Sequence, residues 1–133
     1  MIYPLKPLII HEYIKNNASY KEIEQLLLLG AKPNDVDGRK KTALIIAIEN
    51  DREDLIELLL QYNTDINVQD IEGDTALHYA LYENVSNQTI QTLILHGADP
   101  FIKNNDKQDV FELVYDCVDE TLLGLIHDTL DML

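Results

Sequence analysis

The chain has 133 residues, a length that predicts one domain, and 46% of them are hydrophobic, as is typical of globular proteins. Its formal net charge of −14 argues against nucleic acid and anionic membrane surfaces as partners, because both would repel it. The charge favours a partner protein with a basic surface, although a surplus of this size also serves solubility alone.

The chain contains one cysteine, Cys117, so it has no intrachain disulfide framework. Cys117 lies in an apolar segment, where we expect a buried side chain rather than a nucleophile. The N-terminus lacks the long apolar run of a signal peptide, and no stretch approaches the ~18 apolar residues of a membrane span. We therefore expect a cytoplasmic protein that is a monomer on its own.

Two helical patterns precede Gly30. The first covers residues 9–16, just after Pro7, a residue suited to a helix start. The second begins with Ser19 and Glu22 at capping-box spacing. Glycine directly after a helix tolerates the left-handed conformation that ends it. The apolar residues of the second pattern have i, i+3, i+4 spacing and form one stripe, made of Ile23, Leu26 and Leu27.

The same two patterns return between residues 42 and 63. Asn63 takes the place that Gly30 has in the first pair, and asparagine is well suited to the left-handed conformation. We expect Asn50 or Asp51 to cap the second helix of this pair. The first helix has an apolar face of Ala43, Leu44, Ala47 and Ile48, and the second runs through Leu55 and Leu60.

The third pair is the most complete. The run Thr75-Ala76-Leu77-His78-Tyr79-Ala80 opens its first helix, and Gly97-Ala98-Asp99 follows its second. The interval from Asn63 to Gly97 is one residue longer than that from Gly30 to Asn63, and we place the extra residue in the polar stretch 83–87. A period of about 33 residues indicates a stack of small repeated units rather than a globule with one catalytic cleft.

The last segment, residues 102–133, is degenerate, as expected of a capping unit that faces water on one side. No lysine or arginine follows Lys107, so we expect a strongly negative field at this end. One stripe of its final helix is apolar and another is acidic; they consist of Leu122, Leu123, Ile126 and Leu130, and of Asp119, Glu120, Asp128 and Asp131.

These motifs resemble the ankyrin-repeat family. The run from Thr75 matches the family's Thr-Pro-Leu-His-x-Ala, with Ala76 where proline is usual, and Asp70 and Gly73 match its turn. The resemblance covers about residues 8–133 and implies an all-α solenoid of stacked helix-turn-helix units joined by short links. We expect a single domain, 1–133, with approximate units 1–34, 35–67, 68–101 and 102–133. The departures are Lys40 and Lys107 at the Gly73 position and Ile45 at the His78 position.

The resemblance implies a structural role for His78, whose ring would bond backbone groups of a neighbouring turn while Thr75 caps the helix. We expect His11, His96 and His127 to be exposed or half-exposed. No two histidines have metal-ligand spacing on one helix. Carboxylates are abundant, but acid–base catalysis needs two of them in a concave pocket, and a solenoid of helix pairs offers only a shallow groove. The sequence predicts no enzyme activity, no catalytic residues, no metal and no cofactor.

The resemblance further implies that a partner docks on the turns and first helices, which form a concave face. Tyr79 and Tyr82 carry most weight, because tyrosine is enriched among interface anchors; the alternative is that they cover the adjacent helix. Ile71, at a turn tip, is either a contact residue or packed on the next turn. The predicted partner-binding residues, chosen because they should point outward, are Arg39, Lys40, Ile46, Glu49, Asn50, Ile71, Glu72, Asp74, Tyr79, Tyr82, Glu83 and Lys107.

Two functional hypotheses follow. The first is a non-enzymatic binding protein that masks a basic partner, as an inhibitor or immunity-type protein would. The second is a host-directed adaptor or effector, from a virus or an intracellular bacterium, that competes with cellular ankyrin proteins.

Overall fold

A computed structural model describes residues 5–117 and 119–133, without the side chain of Cys117. The expectation that this side chain is buried therefore lies outside the described residues. The described residues form eight α-helices and no strand, so the all-α prediction is confirmed. The helices are α1 (Ile9–Lys15), α2 (Tyr20–Leu28), α3 (Ala43–Glu49), α4 (Asp54–Leu60), α5 (Ala76–Tyr82), α6 (Asn87–Leu95), α7 (Val110–Cys117) and α8 (Glu120–Asp131).

The chain divides into two compact units, Met1–Asp65 and Ile66–Leu133. In the first unit, α1 packs on α3 and α2 packs on α4, so one helix pair lies on the other. In the second unit, α5 packs on α7 and α6 packs on α8. Each unit thus contains two copies of the predicted helix-turn-helix motif, while the single domain stays a prediction.

Polar side chains cap several helices, and the caps at Ser19 and Thr75 are the predicted ones. The Thr42 and Thr75 hydroxyls each accept a hydrogen bond from the backbone N–H three residues later, which satisfies a donor that has no partner within the helix. Ser19 and Glu22 form the predicted capping box of α2, with each side chain bonded to the other's backbone N–H. These helix starts are therefore encoded locally.

The junction before α4 differs from the prediction. Asn50 ends α3 and Asp51 is left-handed, with φ of 56°, so the expectation that either caps α4 is wrong. A left-handed Asn84 occupies the equivalent junction before α6. Ile56 and Ile90, buried in α4 and α6, are one residue further apart in the sequence than Asp51 and Asn84. The extra residue therefore falls between Asn84 and Ile90, where α6 begins.

The helices end as the repeated Gly and Asn positions predict. Gly30, Asn63 and Gly97 are all left-handed, with φ of 97°, 60° and 99°. Alanine at the helix contacts lets the backbones approach closely, and Ala47 and Ala80 are both fully buried. The largest fully buried side chains are Ile10, Ile14, Ile23, Leu44, Ile45, Ile48, Leu55, Ile56, Leu58, Leu59, Leu77 and Leu93.

Candidate functional site

The candidate residues lie on or at the ends of the first helices of the helix pairs, such as α3 and α5, and on the polar links that precede these helices. The links are residues 35–41, 68–74 and 103–108. Each link is organised by one Asp or Asn side chain: Asp37 in the first unit, and Asp70 and Asn104 in the second. The Oδ1 atom accepts hydrogen bonds of 2.9–3.0 Å from the backbone N–H groups two and four residues later. The conformation of the links is therefore set by local side-chain chemistry.

A left-handed residue follows three positions after each of these side chains. It is Lys40, Gly73 or Lys107, with φ of 61°, 80° and 62°. At Gly73 a Cβ atom would also lie 2.7 Å from the backbone nitrogen of Asn105. The Asn105 backbone and side-chain amides donate to carbonyls of the link that contains Gly73, both at 2.9 Å. This close approach of two links explains why glycine stands here.

The two predicted anchor tyrosines are bonded to the link in front of them. The Tyr79 hydroxyl donates to Asp70, and the Tyr82 hydroxyl donates to Asp74 over 2.8 Å. The two rings meet edge to face, with centroids 5.8 Å apart. We call this arrangement of Asp70, Asp74, Tyr79 and Tyr82 the tyrosine clamp. It holds the turn 70–74 against α5.

Asn104 extends the tyrosine clamp to the next link. Its side-chain amide donates to Asp74 over 2.9 Å and contacts the Tyr82 hydroxyl at 3.2 Å. The pKa of Tyr82 is raised to about 12, mainly by burial and to a smaller extent by the hydrogen bond to Asp74. The Tyr82 hydroxyl therefore remains a protonated donor at neutral pH, while 46% of the residue is exposed.

In the second unit most predicted contact residues reach solvent. Ile71 is 40% exposed, and Glu72, Glu83 and Lys107 are exposed as well. Tyr79 is half-buried rather than exposed, because its hydroxyl is bonded to Asp70 in the tyrosine clamp.

The outward orientation predicted for Asp74 is wrong. The residue is 8% exposed, because its carboxylate is held between the Tyr82 hydroxyl and the Asn104 amide. Asp74 thus positions its neighbours and is inaccessible to a partner.

In the first unit the result is mixed. Arg39, Lys40 and Asn50 are exposed, as predicted. Glu49 is half-buried and forms an ion pair with the Lys41 ammonium at 2.9 Å. The outward orientation predicted for Ile46 is wrong, since it is 3% exposed. All six residues of α3 before Glu49 are apolar and buried, so this helix has no single buried stripe from which an exposed face could be assigned.

His78 has the contacts that the resemblance implies. It is fully buried, and its Nε2 lies 2.9 Å from the carbonyl oxygen of Gln108 in the next link. Its Nδ1 accepts a hydrogen bond of 3.1 Å from the Thr75 N–H. His78 therefore joins the start of α5 to the following link. The exposed positions expected for His96 and His127 are confirmed.

The exposed position expected for His11 is wrong. It is 3% exposed, and its Nε2 lies 3.0 Å from the carbonyl oxygen of Lys41, which repeats the His78 arrangement. The signal was available, because His11 precedes His78 by the sum of the two repeat intervals. Leu8 replaces the threonine cap and is left-handed, so the buried His11 Nδ1 has no hydrogen-bond partner among the described residues. Burial lowers the pKa of His11.

Arg52 is a structural residue that the sequence patterns did not reveal. Its guanidinium donates to the Ala18 carbonyl over 2.7 Å and to both carboxylate oxygens of Asp54 over 3.0 Å. The hydrogen bonds from Arg52 lower the pKa of Asp54. Arg52 thereby links the two helix pairs of the first unit through a backbone carbonyl, and no residue type at Ala18 could signal this contact.

Neither a membrane-spanning helix nor a metal-binding cluster occurs in residues 5–117 and 119–133. No helix there is both long and apolar enough to cross a membrane. No group of three or more His, Cys, Asp or Glu side chains is placed to hold a metal ion in the same part of the chain.

Comparison with known proteins shows which family and which relatives the chain resembles. A family model described as ankyrin repeats, in three copies, matches residues 10–104. An ankyrin repeat protein of fowlpox virus is 28% identical over 89 residues, covering 64% of this chain and 26% of its own length. An Arabidopsis thaliana protein named as an E3 ubiquitin-protein ligase is 30% identical over 104 residues, covering 76% of this chain and 27% of its own length.

An ankyrin repeat-containing protein of Schizosaccharomyces pombe is 30% identical over 77 residues, which cover 58% of this chain and 36% of that protein. The matched regions therefore amount to about a quarter to a third of the length of these three relatives.

Proposed function

The chain belongs to the ankyrin-repeat family, and from that membership we propose that it binds and masks a protein partner with a basic surface. Ankyrin repeats are protein–protein interaction modules, and the family is generally non-enzymatic. The net charge of −14 supports a basic partner, since long-range attraction accelerates association with a positively charged surface. The same charge repels nucleic acid. Masking of this kind is the action of an inhibitor or immunity-type protein.

The observation that carries the proposal is the apolar surface left exposed on Tyr82 of the tyrosine clamp and on Ile71 of the preceding turn. Ile71 at the turn tip is 40% exposed and Tyr82 is 46% exposed, although neither gains stability from contact with water. The clamp fixes the turn against α5, so a partner would order few side chains on binding. Exposed Glu72 and Glu83 are acidic groups on the same turn and at the end of α5, and they favour a cationic partner.

The exposed residues of the first unit belong to the proposal on weaker grounds. Arg39, Lys40 and Asn50 are accessible. The cations Arg39 and Lys40 would repel a basic surface, but they would attract acidic groups at the edge of the partner. Lys107 in the second unit has the same character. We therefore expect these positions to affect how the partner is aligned on the surface more than how tightly it binds.

The test begins with recovery of a partner from the native source by the tagged full chain and its identification by mass spectrometry. The association rate of the purified pair is then measured at about 0.02 M and about 0.5 M salt, where the Debye length falls from about 20 Å to about 4 Å. We expect a drop of at least about tenfold. An association rate that does not change with salt would refute the charge argument.

Substitution at Tyr82 distinguishes a side chain that contacts the partner from one that only supports the turn 70–74. Tyr82→Phe keeps the ring and removes the hydroxyl bond to Asp74, whereas Tyr82→Ala removes both. If the ring contacts the partner, Tyr82→Ala weakens binding by about 2 kcal/mol or more and Tyr82→Phe by less. Equal losses would assign Tyr82 a supporting role only. Normal binding by both variants would move the interface away from this surface.

The fowlpox virus relative favours a second candidate function. In that case the chain is a host-directed adaptor or effector, viral or from an intracellular bacterium, that competes with cellular ankyrin proteins. The two functions are distinguished by mixing the chain and its recovered partner with a cellular ankyrin protein that binds the same partner. Displacement of that protein by the chain supports competition, whereas a ternary complex eliminates it.

A further inference from the structure

A groove of about 420 Å³ lies between α7 and α8, in the second unit. It consists of residues other than those of the tyrosine clamp. Tyr115 stands at its edge and is 61% exposed, and Leu123 is only half-buried. We call this feature the α7/α8 groove; its lining residues are Val114, Tyr115, Asp119, Glu120, Leu123, Gly124 and His127.

Gly124 contributes to keeping the α7/α8 groove open. It lies inside α8, where glycine is less stable than alanine because it has more conformational freedom to lose. The fold does not require glycine at this position. Its φ lies outside the left-handed region, and a Cβ atom added there would meet no other atom within 4 Å. The missing side chain therefore costs helix stability and leaves space in the groove.

One wall of the groove is held in place by aromatic contacts. The His127 ring stacks on Phe111, with ring centroids 5.2 Å apart. Phe111 in turn contacts Phe101, also with centroids 5.2 Å apart. The His127 wall is thus supported by neighbours within the same unit, and a ligand would meet a prepared surface.

The charge around the groove indicates what fits it. Asp119 and Glu120 both line it and are exposed, and the sequence has no lysine or arginine after Lys107. A second copy of the chain would bring further negative charge to this rim and would be repelled. An apolar side chain suits the surface of Val114 and Leu123, and an adjacent cation suits the two carboxylates.

We propose that the α7/α8 groove is a second docking site, which takes a protein segment presenting an apolar side chain next to lysine or arginine. The apolar side chain lies over Gly124 against Leu123, and the cation pairs with Asp119 and Glu120. The proposal does not depend on the surface formed by Ile71 and Tyr82, because the two surfaces consist of different residues.

The test titrates the isotope-labelled full chain with a synthetic peptide, Lys-Arg-Leu-Phe-Arg-Lys, and follows backbone amide shifts by NMR. We expect the shifts to concentrate at Tyr115, Leu123 and Gly124. Gly124→Leu fills the groove and weakens binding at least about tenfold, while the control Thr121→Leu, at an exposed position of α8 outside the groove, changes it less than about twofold. A control peptide, Glu-Asp-Leu-Phe-Glu-Asp, binds at least about tenfold more weakly than the basic one.

A second pair of substitutions tests the charges without disturbing the helix start. The Asp119 carboxylate caps α8 by accepting from the Leu122 N–H at 2.9 Å, and asparagine retains that acceptor. Asp119→Asn combined with Glu120→Gln should weaken the basic peptide about fivefold or more and reduce the salt dependence of its binding. Thermal melts confirm that each variant is folded.

Four results would overturn the proposal. The first is no measurable shift with the basic peptide up to about 1 mM. The second is unchanged affinity in folded Gly124→Leu, and the third is shifts confined to residues around Tyr82. The fourth is a dimer of the free chain, seen by light scattering, that Gly124→Leu abolishes, because the groove would then be an interface between two copies.

Discussion

Replacement of Gly73 by alanine tests whether the contact between consecutive links holds the second unit together. The new Cβ would lie 2.7 Å from the backbone nitrogen and side-chain oxygen of Asn105, so that link must move. Alanine in the left-handed region costs about 1–2 kcal/mol. Displacing Asn105 endangers two hydrogen bonds, each worth about 1 kcal/mol. We expect Gly73→Ala to lower the free energy of unfolding by about 3–4 kcal/mol.

The free energy of unfolding is measured by urea titration followed by far-ultraviolet circular dichroism, since the chain has no tryptophan. Lys40→Gly is the matched control, because Lys40 has the same left-handed conformation, with φ of 61°. Relief of its backbone strain should raise stability slightly or leave it unchanged. If Gly73→Ala stays within about 0.5 kcal/mol of the parent chain, the close approach of the two links does not limit stability and the reasoning fails.

Three further predictions use the same urea assay. Leu77→Ala, at a buried leucine, should lower stability by about 2–5 kcal/mol, and a loss below about 1 kcal/mol would contradict its core position. Gly124→Ala should raise stability by about 0.5–1 kcal/mol, and any loss would show that α8 needs glycine. Because burial lowers the pKa of His11, the folded chain binds its proton less readily than the unfolded one. Stability should fall as pH drops below about 6.5, and His11→Gln, which does not titrate, should show a smaller fall. An equal pH slope in both proteins would exclude His11 as the cause.

The parts of the fold that depend on local chemistry could be predicted from the sequence. Threonine at a helix start and glycine or asparagine at a helix end each satisfy a backbone requirement of the same short segment, so Thr75 and Asn63 were assigned correctly. The cap of α4 could not be assigned this way. Asn50 is a good capping residue, but it stands at the end of α3, and the sequence pattern does not separate these two positions.

The parts that depend on packing between elements could be predicted less well. Ile46 was expected to face outward, but a helix that is apolar all round offers no periodicity from which to choose a face. Asp74 was expected to face a partner, but it accepts hydrogen bonds from Tyr82 and Asn104, which lie 8 and 30 residues away. Long-range polar contacts of this kind leave no local signal, so an acidic residue on a turn is easily mistaken for a surface contact.

The repeat itself supplies what the single patterns lack, because equivalent positions can be compared across copies. Tyr82 and Tyr115 are one repeat interval apart, on the first helices α5 and α7, and both are exposed, by 46% and 61%. Glu49 precedes Tyr82 by the same interval and is half-buried, with a charged partner. This position therefore varies in residue type and contact, while the residue directly before the helix caps it through a side-chain oxygen in all three copies, as Thr42, Thr75 or Asp109. Variation at this position alters what the repeat presents to a partner and, at Tyr82, also the hydrogen bond to the preceding turn. Thr75 and His78, in contrast, are committed to the scaffold by bonds to their own and the next link.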